Sequence, residues 1–244
     1  MMRAFGRWLM LLVLAGVGLQ LFFAVRILAM NWIAPESTSF QRSQAWQILK
    51  QQGQLPWRQE SVEIKAMSNS LQRAVIASED AAFTQHHGIW WQSLEKAWEK
   101  NARAKAQAEK RAQRQPDKPV DVKIVGGSTI TQQLAKNLFL SGERTLVRKG
   151  QEMVLALTLE TLLSKERILE IYLNSVEWGE GVFGAEAAAQ HYFRKSAARL
   201  NAWEASRLAV MLPRPRYFEK LPQSAYLTRR AETIMARMND VVLP

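Results

Sequence analysis

The sequence predicts a chain built mainly of α-helices, with one membrane-spanning helix in front of a single sizeable domain. Three observations lead to this expectation. Residues 8–25 are almost entirely apolar, several stretches begin with helix-capping residues, and only residues 61–65 alternate as a short strand or an extended segment would. The 244 residues show no internal repeat and are enough for a substantial core. We therefore expect an anchor over residues 1–35 and a domain over residues 36–244.

The composition narrows the choice of partner. The net charge is +11 and the isoelectric point is near 10.1, so the partner is expected to be acidic. Nucleic acid, anionic lipid headgroups and a phosphorylated substrate all meet that requirement. The sequence has no cysteine, which excludes disulfides and thiolate metal sites.

The N-terminal apolar run is long enough to cross a bilayer core of about 30 Å. Arg3 and Arg7 precede it, and Trp8 and Trp32 lie near its two ends, which favours a cytoplasmic N-terminus. A cleaved signal peptide is the alternative, but the run exceeds the usual apolar core of about 7–15 residues and no clear cleavage site follows. We expect a retained single-pass anchor in the inner membrane and a periplasmic domain. That location argues against nucleic acid as the partner.

The first candidate for chemistry is the acidic pair Glu79–Asp80. Residues 36–70 carry no pattern that predicts chemistry, and helical spacing begins at Leu71 and leads into the pair. Burial beside apolar neighbours raises the pKa of a carboxyl group toward the range in which it exchanges protons at neutral pH. The alternative is a solvated helix end, with His86 as a hydrogen-bonded structural histidine.

The second candidate is the helix predicted to start at Thr129, which has capping-box spacing to Gln132. Its apolar stripe consists of Ile130, Leu134 and Leu138, and its polar arc of Thr129, Gln133, Lys136 and Asn137. Backbone amides at the helix start, with a lysine one to two turns later, suit an anion such as phosphate. The alternative is a capped amphipathic helix whose polar side chains are merely solvated.

Positive side chains gather near the start of the next predicted helix, where Arg144, Arg148 and Lys149 are joined by the carboxylate of Glu152. Cations at a helix N-terminus oppose the helix dipole, so local stability does not explain them. A bound polyanion does.

The remaining helices carry no predicted chemistry. Ser164 and the pair Asn201–Glu204 predict two helix starts. Residues 224–238 predict a last amphipathic helix without a catalytic candidate, whose Arg229, Arg230 and Arg237 are expected to point outward.

Four motifs follow one another along the chain: EDxxFxxHxG from Glu79, GSTITQQxxKN from Gly127, RKxxE from Arg148 and RILExYLN from Arg167. Together they resemble the signature motifs of the peptidoglycan glycosyltransferases, glycosyltransferase family 51. The resemblance extends over residues 71–213, and four ordered motifs are far more specific than any one of them.

The resemblance implies a mainly α, lysozyme-like, two-lobed glycosyltransferase domain with a cleft. It implies that lipid II and the growing lipid-linked glycan strand are the substrates of an inverting transfer that releases polyprenyl diphosphate. Glu79 is similar to the family's general base, and Glu152 to its second essential carboxylate. The residues implied to bind substrate or shape its site are Asp80, Phe83, His86, Ser128, Thr129, Gln133, Lys136, Asn137, Arg148 and Lys149.

Residues 96–123 form an alanine-rich, lysine-rich stretch whose first half suits a solvated helix ended by Pro116 and Pro119. We expect a mobile or membrane-skimming loop over the cleft that draws the protein to anionic lipid. The neighbouring tryptophans, which are Trp90, Trp91 and Trp98, suit either the core or a membrane interface.

No cluster of ligands in the sequence requires a cofactor, although the resemblance allows a divalent cation, Mg²⁺ or Mn²⁺, near the diphosphate. Other cell-wall synthesis proteins are candidate partners. Two other functions stay open. One is cleavage of glycan, which needs no cationic cluster for a diphosphate. The other is a non-catalytic, membrane-anchored role beside cell-wall synthases.

Overall fold

The computed structural model describes residues 2–114, 126–143 and 145–244, which are mainly helical as predicted. The helices are α1 (Met2–Ala29), α2 (Ser39–Gln52), α3 (Asn69–Glu79), α4 (Trp91–Arg114), α5 (Ile130–Phe139), α6 (Leu146–Leu162), α7 (Lys165–Ser175), α8 (Ala185–Phe193), α9 (Ala202–Met211), α10 (Pro215–Glu219) and α11 (Ala225–Arg237). Three short strands form one small sheet: β1 (Arg58–Gln59), β2 (Glu177–Gly179) and β3 (Val182–Phe183).

Three predicted helix starts are confirmed by their capping bonds. At α5 the Gln132 amide donates to Thr129 Oγ1 at 3.1 Å, and the Thr129 amide donates to Gln132 Oε1 at 3.0 Å. Asn201 and Glu204 make the same reciprocal pair at α9, and Ser164 caps α7. Such caps typically contribute about 0.5–2 kcal/mol each, so local sequence is enough to fix where these helices begin.

Of the two structures that the alternation at residues 61–65 suits, a short strand or an extended segment, the strand is not formed: residues 61–63 belong to no helix or strand, and Ile64–Ala66 form a 3-10 turn. The backbone of Val62 exchanges two hydrogen bonds with the Asn174 side chain of α7, at 3.1 and 2.8 Å. The Ile64 amide donates to the Glu170 carboxylate at 2.8 Å. Because side chains of α7 take the backbone groups that a strand ladder needs, the chain passes α7 unpaired. The strand lies just before, where β1 runs parallel to β3, and β2 is antiparallel to β3.

Two groups of helices share one apolar core. In one group α3, α9 and α11 pack against each other, and in the other α5 packs against α2, α6 and α7. Leu71 and Val75 of α3 are buried, and so is the predicted stripe of α5, which consists of Ile130, Leu134 and Leu138. The spacing of apolar residues therefore predicted correctly which faces of these helices turn inward.

The C-terminal end of helix α1 packs into this core. The stretch Phe5–Ala29 of α1 is long and apolar enough to cross a membrane, with a mean hydropathy of 2.3. Ile27, near its end, and Met30, just beyond it, are buried in the core cluster. Arg167 of α7 donates from Nε to the Met30 carbonyl at 2.6 Å. Core packing thus continues across the predicted boundary at residue 35.

Helix α4 replaces most of the predicted loop. Residues 96–114 are helical, which confirms the solvated helix and corrects the loop, while Pro116, Pro119 and the rest of the stretch to residue 123 lie outside the described residues. The base of α4 lies close to Gly127, where an added Cβ would come within 3.0 Å of the Ala97 Cβ. Trp91 and Trp98 expose 63% and 77% of their surface, so neither belongs to the core.

Candidate active site

Glu79 ends helix α3 and lies half-buried at the edge of a cavity of about 240 Å³. Its carboxylate accepts hydrogen bonds from Gln133 Nε2 at 3.1 Å and from Ser78 Oγ at 3.3 Å. Burial raises the pKa of Glu79 above the ordinary value for a glutamate, and the two hydrogen bonds only partly oppose this. A carboxylate with a raised pKa and access to a cavity is a suitable general base.

A hydrogen bond from Tyr172 fixes the orientation of the Gln133 side chain. The Tyr172 hydroxyl of α7 donates to Gln133 Oε1 at 3.0 Å. Burial raises the pKa of Tyr172 well above its usual value, and the charges of Glu79 and Asp80 raise it further, so the phenol stays protonated and remains a donor. The Gln133 amide group therefore turns its NH₂ toward Glu79. The structure places Gln133 as a partner of the candidate base, a role that the sequence did not reveal.

Asp80 holds the start of helix α5 instead of facing outward. Its Oδ2 accepts from the Ile130 amide at 3.0 Å, and His86 Nε2 lies 3.0 Å from both carboxylate oxygens. The α5 N-terminus therefore already binds an anion, which is the chain's own carboxylate. The sequence predicts an anion such as a phosphate at this helix start, and the anion found at the Ile130 amide is the Asp80 carboxylate.

The other residues of the first motif are packed behind the cavity. Phe83 has no exposed surface and lies in the core, with Lys165 Nζ 4.4 Å from its ring centroid. His86 is buried and its ring stacks on Trp90 at 6.1 Å. Asp80 lines the cavity but its carboxylate is bonded internally, and the rings of Phe83 and His86 are buried. The structure therefore gives all three residues supporting positions and corrects the substrate contact expected of Phe83.

Thr129 links the first and second motifs. Besides capping α5, its hydroxyl donates to the Gly88 carbonyl at 2.5 Å. Gly88 has a φ of +82°, and a Cβ there would lie 2.9 Å from Glu160 Cγ, so a side chain would be both strained and crowded. Thr129 lines the Glu79 cavity but is buried, with its oxygen engaged, so the structure gives it a supporting position.

A second cavity, of about 700 Å³, contains the predicted cations. It is lined by residues of α2, α5 and α6, and those predicted to bind substrate are Ser128, Lys136, Asn137, Arg148 and Lys149, together with Glu152. Glu152 is buried and accepts hydrogen bonds from Arg148 Nη1 at 3.1 Å and from Lys149 Nζ. One carboxylate thus holds two cations side by side. Arg144, the remaining predicted cation, lies outside the described residues.

Ser128 connects the two cavities. It lines both of them, and its Oγ accepts from Lys149 Nζ at 3.2 Å. The candidate base Glu79 and the cation cluster therefore open onto adjoining hollows, with α3 and α11 on one side and α2 and α6 on the other. This juxtaposition is what a reaction needs when it removes a proton at one atom and expels an anion from another.

Of the three arginines expected to point outward from the last helix, Arg229 and Arg237 are exposed, whereas Arg230 is half-buried. Arg230 and Arg237 of α11 both line the Glu79 cavity. The positive charge of Arg230 lowers the pKa of Glu79 and so opposes the effect of burial. Their spacing of seven residues places them on one helix face, but spacing does not tell which element that face meets.

Helix α2 was also missed as part of the site. It supplies one wall of the cation cavity through Phe40, Ser43, Gln44 and Gln47. The available signal was the capping box of Thr38 and Gln41, with bonds of 2.7 and 3.0 Å, which predicts a helix but no chemistry.

The donor set does not fit a resident metal ion. Within the described residues there is no group of three or more His, Asp or Glu side chains arranged to hold one. Glu143 and Glu152 both line the cation cavity, but the Glu152 carboxylate is occupied by Arg148 and Lys149. We therefore derive no step through a bound metal.

Comparison of the sequence with known proteins gives matches over most of the chain. The profile of the family described as "Transglycosylase" matches residues 47–239. Biosynthetic peptidoglycan transglycosylases from Burkholderia thailandensis and Herminiimonas arsenicoxydans are each 49% identical to this chain. The matches cover 99% and 97% of the chain and 90% and 96% of those proteins. The same enzyme from Burkholderia pseudomallei is 48% identical over 99% of the chain and 90% of its own length.

Replacing Arg230 with glutamine should raise the pKa of Glu79, because the nearby positive charge that favours the carboxylate is removed. Carbon NMR of the protein labelled at glutamate side-chain carboxyls, titrated in detergent micelles, measures the midpoint. Arg229→Gln is the matched control, since Arg229 is exposed and does not line the cavity. An Arg230→Gln midpoint equal to that of the control would contradict this assignment.

Proposed function

The chain belongs to the transglycosylase family, and we propose that it polymerises lipid II into glycan strands of peptidoglycan, releasing polyprenyl diphosphate by inverting glycosyl transfer. The observation that carries the proposal is the meeting of the Glu79 cavity and the cation cavity at Ser128. The relatives' name, biosynthetic peptidoglycan transglycosylase, supports the same reaction class.

The proposed reaction starts with proton removal. The carboxylate of Glu79 accepts the proton of the acceptor sugar's 4-hydroxyl, and that oxygen forms a bond to the anomeric carbon of the donor. The bond from this carbon to the diphosphate oxygen breaks, so the α-linkage becomes a β-linkage. The hydrogen bonds of Glu79 come from the neutral groups of Ser78 and Gln133. They orient the carboxylate and leave it able to accept a proton.

The cation cluster serves the leaving group. Negative charge grows on the diphosphate as the bond breaks, and we assign its stabilisation to Arg148, Lys149 and Lys136, which line the same cavity. Glu152 orders two of these cations through its ion pairs, so they need little rearrangement when the substrate arrives. This role as an ordering carboxylate is our proposal for the second essential acid.

A divalent cation near the diphosphate also remains a proposal. Because the residues that the structure describes offer no group of ligands for such an ion, we propose that it enters bound to the substrate. Polymerisation should therefore persist, at a rate reduced by no more than about tenfold, after the protein alone is treated with EDTA and the chelator is removed. Complete and lasting loss after that treatment would point to a resident metal instead.

Replacing Glu79 with glutamine should abolish most of the polymerisation, by at least about a hundredfold, because the amide cannot accept the proton. Folding should be retained. Burial favours the protonated form, so at neutral pH the charged Glu79 lowers the free energy of unfolding, and the neutral amide removes that effect. Labelled lipid II and thermal unfolding measure the two quantities.

The control for this prediction is Glu63→Gln, which changes an exposed glutamate. Near-normal polymerisation by Glu79→Gln would remove the base from the proposal. The products also separate the alternatives: shortening of preformed glycan indicates a lytic enzyme, and the absence of any product from the unmodified chain indicates a non-catalytic partner.

We further propose that α1 spans the inner membrane once, with its N-terminus in the cytoplasm and the domain in the periplasm. The span Phe5–Ala29 has the length and hydropathy for this, and Arg3 and Arg7 near its start favour a cytoplasmic N-terminus. Such an anchor keeps the cleft beside a membrane-bound substrate.

Helix α4 is proposed to rest on anionic lipid, since it combines exposed tryptophans with many lysines and arginines. A fluorophore attached at Ala102→Cys in the full chain, which otherwise lacks cysteine, should report a less polar environment in nanodiscs containing anionic lipid. Charge reversal of Lys105, Lys110 and Arg111 should remove most of that change, and so should high salt.

The matched control for α4 reverses three exposed lysines elsewhere, namely Lys50, Lys65 and Lys220. It should leave the fluorescence change intact. A signal that is unaffected by charge reversal in α4, at low salt, would rule out lipid binding by this helix.

A further inference from the structure

One polar side chain interrupts the apolar run of the anchor. Gln20 is the only residue between Trp8 and Val25 that carries a polar side-chain group. It does not face lipid alone, because its side chain exchanges two hydrogen bonds with Gln151 of helix α6. Gln20 Nε2 donates to Gln151 Oε1 at 2.9 Å, and Gln151 Nε2 donates to Gln20 Oε1 at 3.2 Å.

We propose that this amide pair is a positioning contact, through which the membrane anchor holds the cation cluster of α6 in place. The proposal rests on the function given above. Gln151 directly precedes Glu152, and consecutive helical residues point about 100° apart. One residue therefore faces the anchor while the next holds Arg148 and Lys149 in the cavity.

A second hydrogen bond joins the α1 segment to α6 further along both helices. Asn31, eleven residues after Gln20, donates from Nδ2 to the carbonyl of Leu162, eleven residues after Gln151, at 3.0 Å. The equal separations mean that α1 and α6 run parallel in register over about 16 Å, given a rise of 1.5 Å per residue. A slide of α6 against the anchor would break both contacts.

At the N-terminal end of α6, apolar packing alone does not fix the position of this helix against α1. Leu146 and Val147 in its first turn expose 91% and 86% of their surface, so no core contact fixes them. Within a bilayer, apolar side chains meet lipid tails as readily as they meet another helix, whereas an amide without a partner is unfavourable there. Of the two polar contacts described between the anchor and α6, the reciprocal Gln20–Gln151 pair is therefore the one nearer the cations.

Between Gln20 and the C-terminal end of α1, ring contacts add to the packing of the anchor against the domain. Phe23 packs edge-on against Phe139 at the end of α5, with ring centroids 5.2 Å apart, and Arg26 lies over the same ring at 5.4 Å. These contacts join the anchor to α5, which also carries Lys136. Both helices that line the cation cavity with positive side chains thus contact α1.

The kinetic test uses Gln20→Leu, Gln151→Leu and the double variant in the full chain, purified in detergent and supplied with labelled lipid II. Each single change should raise KM for lipid II by about threefold to tenfold, with a smaller effect on kcat, since intramembrane polar pairs of this kind are modest in strength. The double variant should be no worse than either single one, because both remove the same contact. The pH dependence of kcat should not change, because Glu79 is untouched.

Leu21→Ala is the matched control in the anchor, as this side chain is exposed to lipid and lies next to Gln20. It should leave KM unchanged. Additive losses in the double variant, or unchanged KM in both single variants, would overturn the positioning role. Failure of the unmodified chain to polymerise lipid II would count against the proposed function instead, so the two failures are distinguishable.

A second measurement does not depend on activity. Because the chain has no cysteine, Gln20→Cys with Gln151→Cys should form an intramolecular disulfide on mild oxidation in the membrane. Leu21→Cys with Gln151→Cys should not, as Leu21 turns toward lipid. Equal cross-linking of the two pairs, or none in the first, would overturn the proposed contact.

Discussion

The hydrogen bond from the Ile130 amide to the Asp80 carboxylate is the joint on which the candidate site depends. It fastens the end of helix α3 to the start of helix α5, with His86 closing the other side of the carboxylate. Glu79 is the residue before this joint, and Gln133 lies one turn into α5. The base and the amide that orients it are thereby held at 3.1 Å by one buried contact between two helix ends.

The charges of the cleft are separated in a way that lets each act. Burial raises the pKa of Glu79 and Arg230 lowers it, so the carboxylate remains a base without forming a direct ion pair. Arg148 and Lys149 are paired with Glu152 in the neighbouring cavity. A cation bonded directly to Glu79 would weaken it as a proton acceptor, and cations without Glu152 would repel one another.

The anchor belongs to the same physical unit as the domain. Ile27 and Met30 complete the core, and the Gln20–Gln151 pair lies beside the cation cluster of α6. The cations therefore lie at the level of the apolar helix Phe5–Ala29. A lipid-linked diphosphate can reach that level without leaving the membrane, which fits the proposed substrate.

The local features could be predicted from the residue order: the mainly helical fold, the capped starts of α5, α7 and α9, the buried stripe of α5 and the gathering of cations beside Glu152. These follow from residues within a few positions of one another, because capping bonds and helical spacing act over one or two turns. Four other features follow only from the packing of the helices: Asp80 binds the α5 N-terminus, Arg230 lines the cavity of Glu79, α7 side chains bind the backbone of Val62 and Ile64, and α2 lines the cation cavity. Each of these joins groups far apart in the chain, and which distant donor meets a given acceptor depends on how the helices pack.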